Sequence, residues 1–321
     1  MPDQVKPLFI SNSDEMKKLL YNILLFVCPA CILLSIGDYF YSLKSQESNL
    51  YNLESWYDLM HGKIDADIIV MGNSRAFVQI DPLVLDSALS TTSYNLAIDG
   101  SSINRQIEKY NVFRKYNRKP RVIIQNIDHI TLLHVVGYER EQLFPYFWDK
   151  NIRSEFFSTE PFSIWEKYMP FYRYYHNLGR NQIIGLITNR TRRQTKGYLG
   201  KIKAWDGSNF RKVDSINYRA NDRSVAMFDD YLAKAKAEGV EVVFVHTPIY
   251  IGLTKKLVNS KEMLDKYKEF ADKYDIPILD YRDLYLCFDT AYFYNAMHLN
   301  KIGAEIFSDT LACDIKRLGI L

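Results

Sequence analysis

A serine on a tight turn directly after an apolar strand is well placed to act as a nucleophile. Its hydroxyl projects from the carboxyl edge of the sheet, and backbone N–H groups of the following helix can face a developing oxyanion. Ser74 stands in that context, in Gly72-Asn73-Ser74-Arg75 after the run Ile68-Ile69-Val70-Met71. The position equally suits an ordinary helix N-cap, so a base is needed before chemistry can be read from it. His298 is the candidate base, in Asn295-Ala296-Met297-His298-Leu299-Asn300, just before a final helix that Asn300 can cap. Gly100 ends another strand within Asn95-Leu96-Ala97-Ile98-Asp99-Gly100-Ser101-Ser102. Without a side chain, it could bring a backbone N–H close to a reacting carbonyl. His246 closes a further apolar run; it either points toward the same strand ends or satisfies buried loop carbonyls. Asp280 ends a strand and reads as structural.

The elements that must position these residues alternate along the chain. Short apolar runs predict strands over 67–71, 92–97, 121–125, 240–246 and 276–280. Helical spacing of apolar positions predicts helices over 83–89, 103–116, 224–237, 261–274 and 300–318. Strands that are apolar throughout, separated by helices, imply an α/β fold of three α/β/α layers with a short parallel sheet covered on both faces. Ligands of such sheets bind beyond the carboxyl ends of the strands. Residues 138–220 break the alternation. They carry Phe144, Tyr146, Phe147, Trp148, Phe156, Phe157, Trp165, Phe171, Tyr172, Tyr174 and Tyr175, then Arg190, Arg192, Arg193 and Lys196. This segment is expected to form a mostly helical insertion bordering the Ser74 cleft, its aromatics and Arg190, Arg192 and Arg193 placed to meet an anionic glycan or a lipid surface.

The first forty residues carry a different signal. Residues 19–37 contain no charged side chain, close to the ~20 residues a helix needs to cross a bilayer. Lys17 and Lys18 precede the run, Lys6 lies further upstream and Asp38 follows. The positive-inside bias puts residues 1–18 in the cytoplasm, a single span at 19–37 in the plasma (inner) membrane, and residues 44–321 outside or in a periplasm. A cleaved signal peptide and a buried core helix are the competing readings. The apolar run exceeds the usual h-region, no small-x-small cleavage site follows it, and Tyr39, Phe40 and Tyr41 resemble an interfacial aromatic belt. Residues 44–64 read as a polar juxtamembrane stretch.

The formal charge of +3 over 321 residues is too small to imply nucleic acid, and 47% hydrophobic content suffices for one sizeable core. No zinc-type cysteine cluster or phosphate-cradling glycine loop is present, so neither metal nor cofactor is expected. Aromatics reach 14%, with 24 Tyr; they serve either as sugar-stacking faces or as packing. Cys28 and Cys31 fall in the apolar segment. Cys287 and Cys313 either pair across the segment holding His298 or remain buried thiols.

Taken together, the motifs resemble the SGNH/GDSL hydrolase superfamily over roughly residues 66–130 and 224–318. Gly72-Asn73-Ser74 matches its first block, with Ser74 as nucleophile, and Gly100 matches the oxyanion glycine of the second. The third block, normally Gly-x-Asn-Asp, is not reproduced; Gln125-Asn126-Ile127-Asp128 is nearest, with Asn126 as the amide donor. The fifth, normally Asp-x-x-His, appears as Asn295-Ala296-Met297-His298, with asparagine for aspartate. That aspartate normally fixes the imidazole tautomer and stabilises imidazolium. Asn295 can still accept the ring N–H but carries no charge. The site would then work as a Ser–His dyad, recruit a carboxylate such as Asp128 or Asp289, or be catalytically weak. Asn73, Arg75, Asp128 and His246 are possible accessory residues. Gly-Asn-Ser-Arg-Ala, Asn-Leu-Ala-Ile-Asp-Gly-Ser-Ser and His-Leu-Asn-x-x-Gly-Ala behind one membrane helix are similar to bacterial cell-envelope proteins that partner membrane-bound O-acyltransferases. The resemblance implies acyl transfer or ester hydrolysis on envelope or secreted polysaccharide. Its alternative is a catalytically silent scaffold that presents glycan to such a partner.

Overall fold

The computed structural model describes residues 13–133, 140–157, 162–208, 210 and 215–320, with side chains from residue 16 onward. Lys6 and the expected start of the insertion at 138 lie outside the described residues. Helix α1 (Ser13–Ser45) runs through Pro29 without a break. It is long and apolar enough to cross a membrane, and its most apolar stretch is uncovered by the rest of the chain. It outlasts the expected span by about two turns, and in that extension Asp38, Ser42 and Ser45 are buried. The stretch read as polar and juxtamembrane instead contains α2 (Leu53–Met60), which buries Leu53, Trp56 and Leu59. These three buried apolar residues are spaced by three, and polar neighbours outweigh them in the sequence.

The domain then proceeds through β1 (Ile68–Met71), α3 (Ser74–Gln79), α4 (Pro82–Leu89), β2 (Ser93–Asn95), α5 (Ile103–Tyr116) and β3 (Val122–Asn126). Four short helices follow: α6 (Lys150–Phe156), α7 (Ile164–Tyr168), α8 (Tyr172–Asn177) and α9 (Arg180–Thr188). The chain resumes its alternation with α10 (Asp222–Ala237), β4 (Glu241–His246), α11 (Ile251–Thr254), α12 (Ser260–Tyr274) and β5 (Ile278–Asp280). A hairpin of β6 (Phe293–Asn295) and β7 (His298–Leu299) precedes α13 (Lys301–Leu318).

The five-stranded sheet has the order β2-β1-β3-β4-β5, and every pair is parallel. This is the flavodoxin-like order, whose switch point lies between β1 and β3. Successive strand residues face opposite layers, as a period of two requires. Ile69, Met71, Ile123 and Phe244 pack with α2, α5, α10 and α12. Ile68, Val70, Ile124 and Val243 pack with α3, α4 and α13. The three-layer α/β/α expectation is met.

The helical part of the insertion takes a different place from the one expected. Phe144, Phe147, Phe156 and Tyr174 belong to the core that α2 and α5 share with one sheet face. Its polar anchors lead the same way: Trp56 Nε1 donates to Gln142, Tyr116 to Asp149, and Gln46 to the Pro145 carbonyl. These aromatics thicken one outer layer and clasp the end of α1. They have no periodicity in the sequence that distinguishes a flank from a strand-end cap, so only contacts could assign them. The extended chain after α9 does reach the strand-end face: Leu199 N–H donates to the Phe77 carbonyl and Ala296 N–H to the Ser208 carbonyl.

Candidate active site

Ser74 opens α3 directly after β1, at the sheet's switch point. The turn is specified locally. Asn73 caps α3 by accepting Arg75 N–H at 3.0 Å. Gly72 holds φ 156°, and a Cβ there would stand 2.6 Å from Ala76 Cβ and 2.7 Å from Asn126 Cβ. Only glycine lets β1 turn this closely over β3. On the neighbouring strand, Asn95 donates to the carbonyls of Ala76 and Ile80, tying down the end of α3. Nothing in the sequence context of Asn95 shows this role.

His298 reaches the same point from the β6–β7 hairpin, an element the sequence did not show because its two strands are only three and two residues long. Its Nε2 lies 2.8 Å from Ser74 Oγ, and its Nδ1 lies 2.9 Å from Asn295 Oδ1. Asn295 Oδ1 also accepts the backbone N–H groups of Met297 and His298, each at 3.0 Å. Only an oxygen can accept those two donors, so the amide orientation is fixed. The ring nitrogen facing it must then carry the hydrogen, which leaves Nε2 free to accept from Ser74. The hairpin turn is braced by Gln79 Nε2, which donates to the Met297 carbonyl at 3.0 Å. Tyr294 stacks on the imidazole with ring centroids 5.4 Å apart. Behind His298, Asn300 caps α13 through Gly303 N–H. A Cβ at Gly303 would stand 2.4 Å from the Tyr292 carbonyl oxygen, which gives the His-Leu-Asn-x-x-Gly spacing a packing reason.

The accessory residues gather in a buried network beneath the nucleophile. Arg75 is 1% exposed. Its guanidinium faces Asp128 at 3.5 Å and His246 Nδ1 at 3.4 Å, and donates to the Thr247 carbonyl. Asp128 also accepts from Asn73 Nδ2 at 2.7 Å and from the N–H groups of Ile130 and Thr131. Burial opposes ionisation of Asp128, yet Arg75, His129 and these hydrogen bonds hold its pKa below the usual range. Asp128 is therefore committed to the floor of the site, and Asp289 caps a turn through Ala291 N–H. Neither takes the aspartate's place beside His298; Asn295 does.

One expectation changes here and one open reading is decided. Asn126 is fully buried, its amide nitrogen near Asn73 and Asp128 at 3.5 and 3.4 Å and its oxygen accepting from Thr247. It supports the Gly72 turn, and its amide is not free to meet an oxyanion. His246 belongs to the same floor, where burial and then Arg75 push its pKa well below the ordinary value. Gly100 occupies a left-handed turn with φ 65°; beside it, burial raises the pKa of Asp99 against the pull of Lys201. Lys201 and Tyr294 were missed as site residues. Lys201 comes from the insertion and is tied to the start of α13, where its carbonyl accepts Lys301 N–H.

Burial, Arg75 and Lys201 depress His298 to about 3, against an opposing pull from Asp128. The imidazole is neutral at physiological pH, the form a general base requires. Arg190 and Arg192 do not wait for an anionic ligand: Arg190 pairs with Glu47, and Arg192 with Asp58 and Glu54. Cys287 and Cys313 are unbridged, one buried and one exposed.

Fold and site together define an α/β/α protein with a serine–histidine–asparagine constellation at the sheet's switch point. No protein-family model matches the chain, and no curated protein matches it. Among solved structures it is similar to a proposed platelet activating factor from Streptococcus pneumonia, with 12% identity over 95% of this chain and 100% of that one and a TM-score of 0.44. It is similar to a proposed acylhydrolase from Bacteroides fragilis, with 13% identity over 84% of this chain and 97% of that one and a TM-score of 0.39. A GDSL-like lipase from Bacteroides thetaiotaomicron shares 10% identity over 84% of this chain and 97% of its own, with a TM-score of 0.38. Likeness of this order assigns no residue a role.

Proposed function

We propose that this protein is an SGNH-type serine acyltransferase or esterase, with Ser74 as nucleophile, His298 as general base and Asn295 as the residue that orients it. The supporting observation is the 2.8 Å approach of Ser74 Oγ to His298 Nε2 with that nitrogen in its acceptor form. Ser74 Oγ attacks an acyl carbonyl while its proton passes to Nε2. The tetrahedral intermediate expels an alkoxide, which takes that proton and leaves an acyl-enzyme. A second hydroxyl, from water or an acceptor, gives its proton to Nε2 and attacks the acyl group; Ser74 Oγ then leaves and takes that proton back from Nε2. The acceptor or donor is read as an envelope or secreted polysaccharide, working with a membrane-bound O-acyltransferase at the outer face of the membrane that α1 crosses. That finer reading is supported by the resemblance of Gly72-Asn73-Ser74-Arg75-Ala76 and His298-Leu299-Asn300 behind an apolar helix.

One observation favours a scaffold role instead: Asn295 supplies no charge to stabilise the imidazolium. A serine-reactive fluorophosphonate separates the two. The catalytic reading expects covalent labelling of full-length protein, lost in Ser74→Ala, and loss of polysaccharide acylation in cells carrying that variant. No labelling, with acylation unaffected by Ser74→Ala, would instead establish the scaffold. A reporter fused after Leu321 should be active only when exported; cytoplasmic activity would remove the envelope substrate class.

A further inference from the structure

The described domain leaves five large apolar side chains in water within one stretch of twelve residues. Trp165 is 61% exposed, Tyr168 75%, Met169 51% and Tyr175 81%, with Ile164 at 66%. All five lie on or between α7 and α8.

Their position relative to α1 is fixed by neighbouring residues that are buried or partly buried. Phe171, between Met169 and Tyr175, packs on Gly37; its ring lies 3.4 Å from where a Gly37 Cβ would stand. Arg173 makes a bidentate ion pair with Asp38, at 2.7 and 2.9 Å, and also donates to Ser42. Both side chains of the pair are 1% exposed. Tyr174 donates to Ser42 as well and packs edge-on against Tyr41. The α8 helix is thus clamped to α1 where the apolar run ends. Met169 and Tyr168 are two and three residues from Phe171, so their Cα atoms lie within about 11 Å of its own. Tyr39 and Phe40, on the uncovered side of α1 at the same level, are also exposed, at 43% and 63%. Tyr168, Met169 and Tyr175 therefore stand near the outer boundary of the apolar span, where Trp and Tyr rings favour the headgroup region, and Trp165 lies one turn before Met169, whose N–H donates to its carbonyl.

We propose that the α7–α8 corner, through Trp165, Tyr168, Met169 and Tyr175, lies in the headgroup region of the bilayer that α1 crosses. The protein would then hold its membrane through two elements, and the clamp between Arg173 and Asp38 would set how the domain stands on the surface. A single helix on a flexible stalk leaves a domain free to tilt; a second contact fixes the side on which the Ser74 cleft is presented. The partner is phospholipid itself. The inference rests on α1 crossing a bilayer.

Helix α1 contains no tryptophan, so tryptophan emission reports the domain alone. Full-length protein is reconstituted in vesicles of phosphatidylcholine and phosphatidylglycerol, with or without lipids brominated high on the acyl chain. Co-flotation with vesicles establishes that α1 is inserted; failure to float overturns the anchor and this inference with it. In floating protein, the brominated lipids should quench emission, Trp165→Phe should remove the larger part of that quenching, and Trp205→Phe should remove none. Replacing Tyr168 and Tyr175 together by Ser should move the residual Trp165 emission to longer wavelength. Floating protein whose quenching is unchanged by Trp165→Phe would overturn the proposal while leaving the anchor standing, and would mean that the corner faces water or a protein partner.

Discussion

Replacing Asn295 by aspartate would add one charge where the structure already provides the donors to hold it. Asn295 Oδ1 accepts from Nδ1 of His298 at 2.9 Å and from two backbone N–H groups at 3.0 Å. The introduced carboxylate would inherit all three donors and stay ionised. Its charge would lie about 4 Å from the imidazolium centre, an attraction between about 1 kcal/mol at the dielectric of water and about 4 kcal/mol at an effective dielectric of 20. That energy acts twice. At about 1.4 kcal/mol per pKa unit, it raises His298 from about 3 by roughly one to three units. It also stabilises the imidazolium that forms as Ser74 attacks, raising kcat/KM by about 5-fold to 10³-fold. In triads where an asparagine holds the imidazole in the wrong tautomer, the loss is about 10⁴-fold. Here the tautomer is already right, so the gain should stay below that figure. The assay is the pH dependence of kcat/KM for a nitrophenyl ester, with the His298 pKa followed by ¹⁵N NMR. The wild type should show no inflection near the ordinary histidine value of about 6.5, and Asn295→Asp should be faster and bring an acid limb upward. A raised His298 pKa with no gain in rate, or a slower variant, would refute the assignment of His298 as base.

Three further outcomes follow from the packing. Gly72→Ala places a methyl within 2.6–2.7 Å of two Cβ atoms; about 1–3 kcal/mol of overpacking should abolish fluorophosphonate labelling, and full labelling would show the turn to be soft. His129 and His298 are depressed to about 4 and about 3. The unfolded chain takes these protons near 6.5, so the stability they contribute is complete above that pH and is lost as pH falls toward 4 and then 3. The thermal midpoint should drop between pH 7 and pH 4, and a flat profile would contradict the buried neutral imidazoles. Arg173→Met leaves Asp38 buried and unpaired, at a cost of about 3–5 kcal/mol. Limited proteolysis should then cut first around residues 169–180, and unchanged protection would show that the clamp is dispensable.

The sequence determined the sheet because strands buried on both faces must be apolar throughout, and few other segments of this chain are. It determined the pairing of Ser74 with His298 because a strand-end glycine turn and a loop histidine before a capped helix each require particular residue types in a particular order. Boundaries shifted where propensity is weak, as in the three-residue strands Ser93–Asn95 and Ile278–Asp280. What the tertiary structure decided was every question that depends on contacts between distant segments. Asn295 could be read as a damaged aspartate until two backbone donors fixed its amide orientation and with it the tautomer of His298. Asn126 could be read as a donor to the cleft, and His246 as either facing it or buried, until Arg75, Asp128 and Thr247 placed both in a buried floor. The aromatic insertion carried composition without period, so its hydrophobic area had no face of its own. The clamp between Arg173 and Asp38, 135 residues apart, set it against α1, because a buried charge is stable only beside its partner.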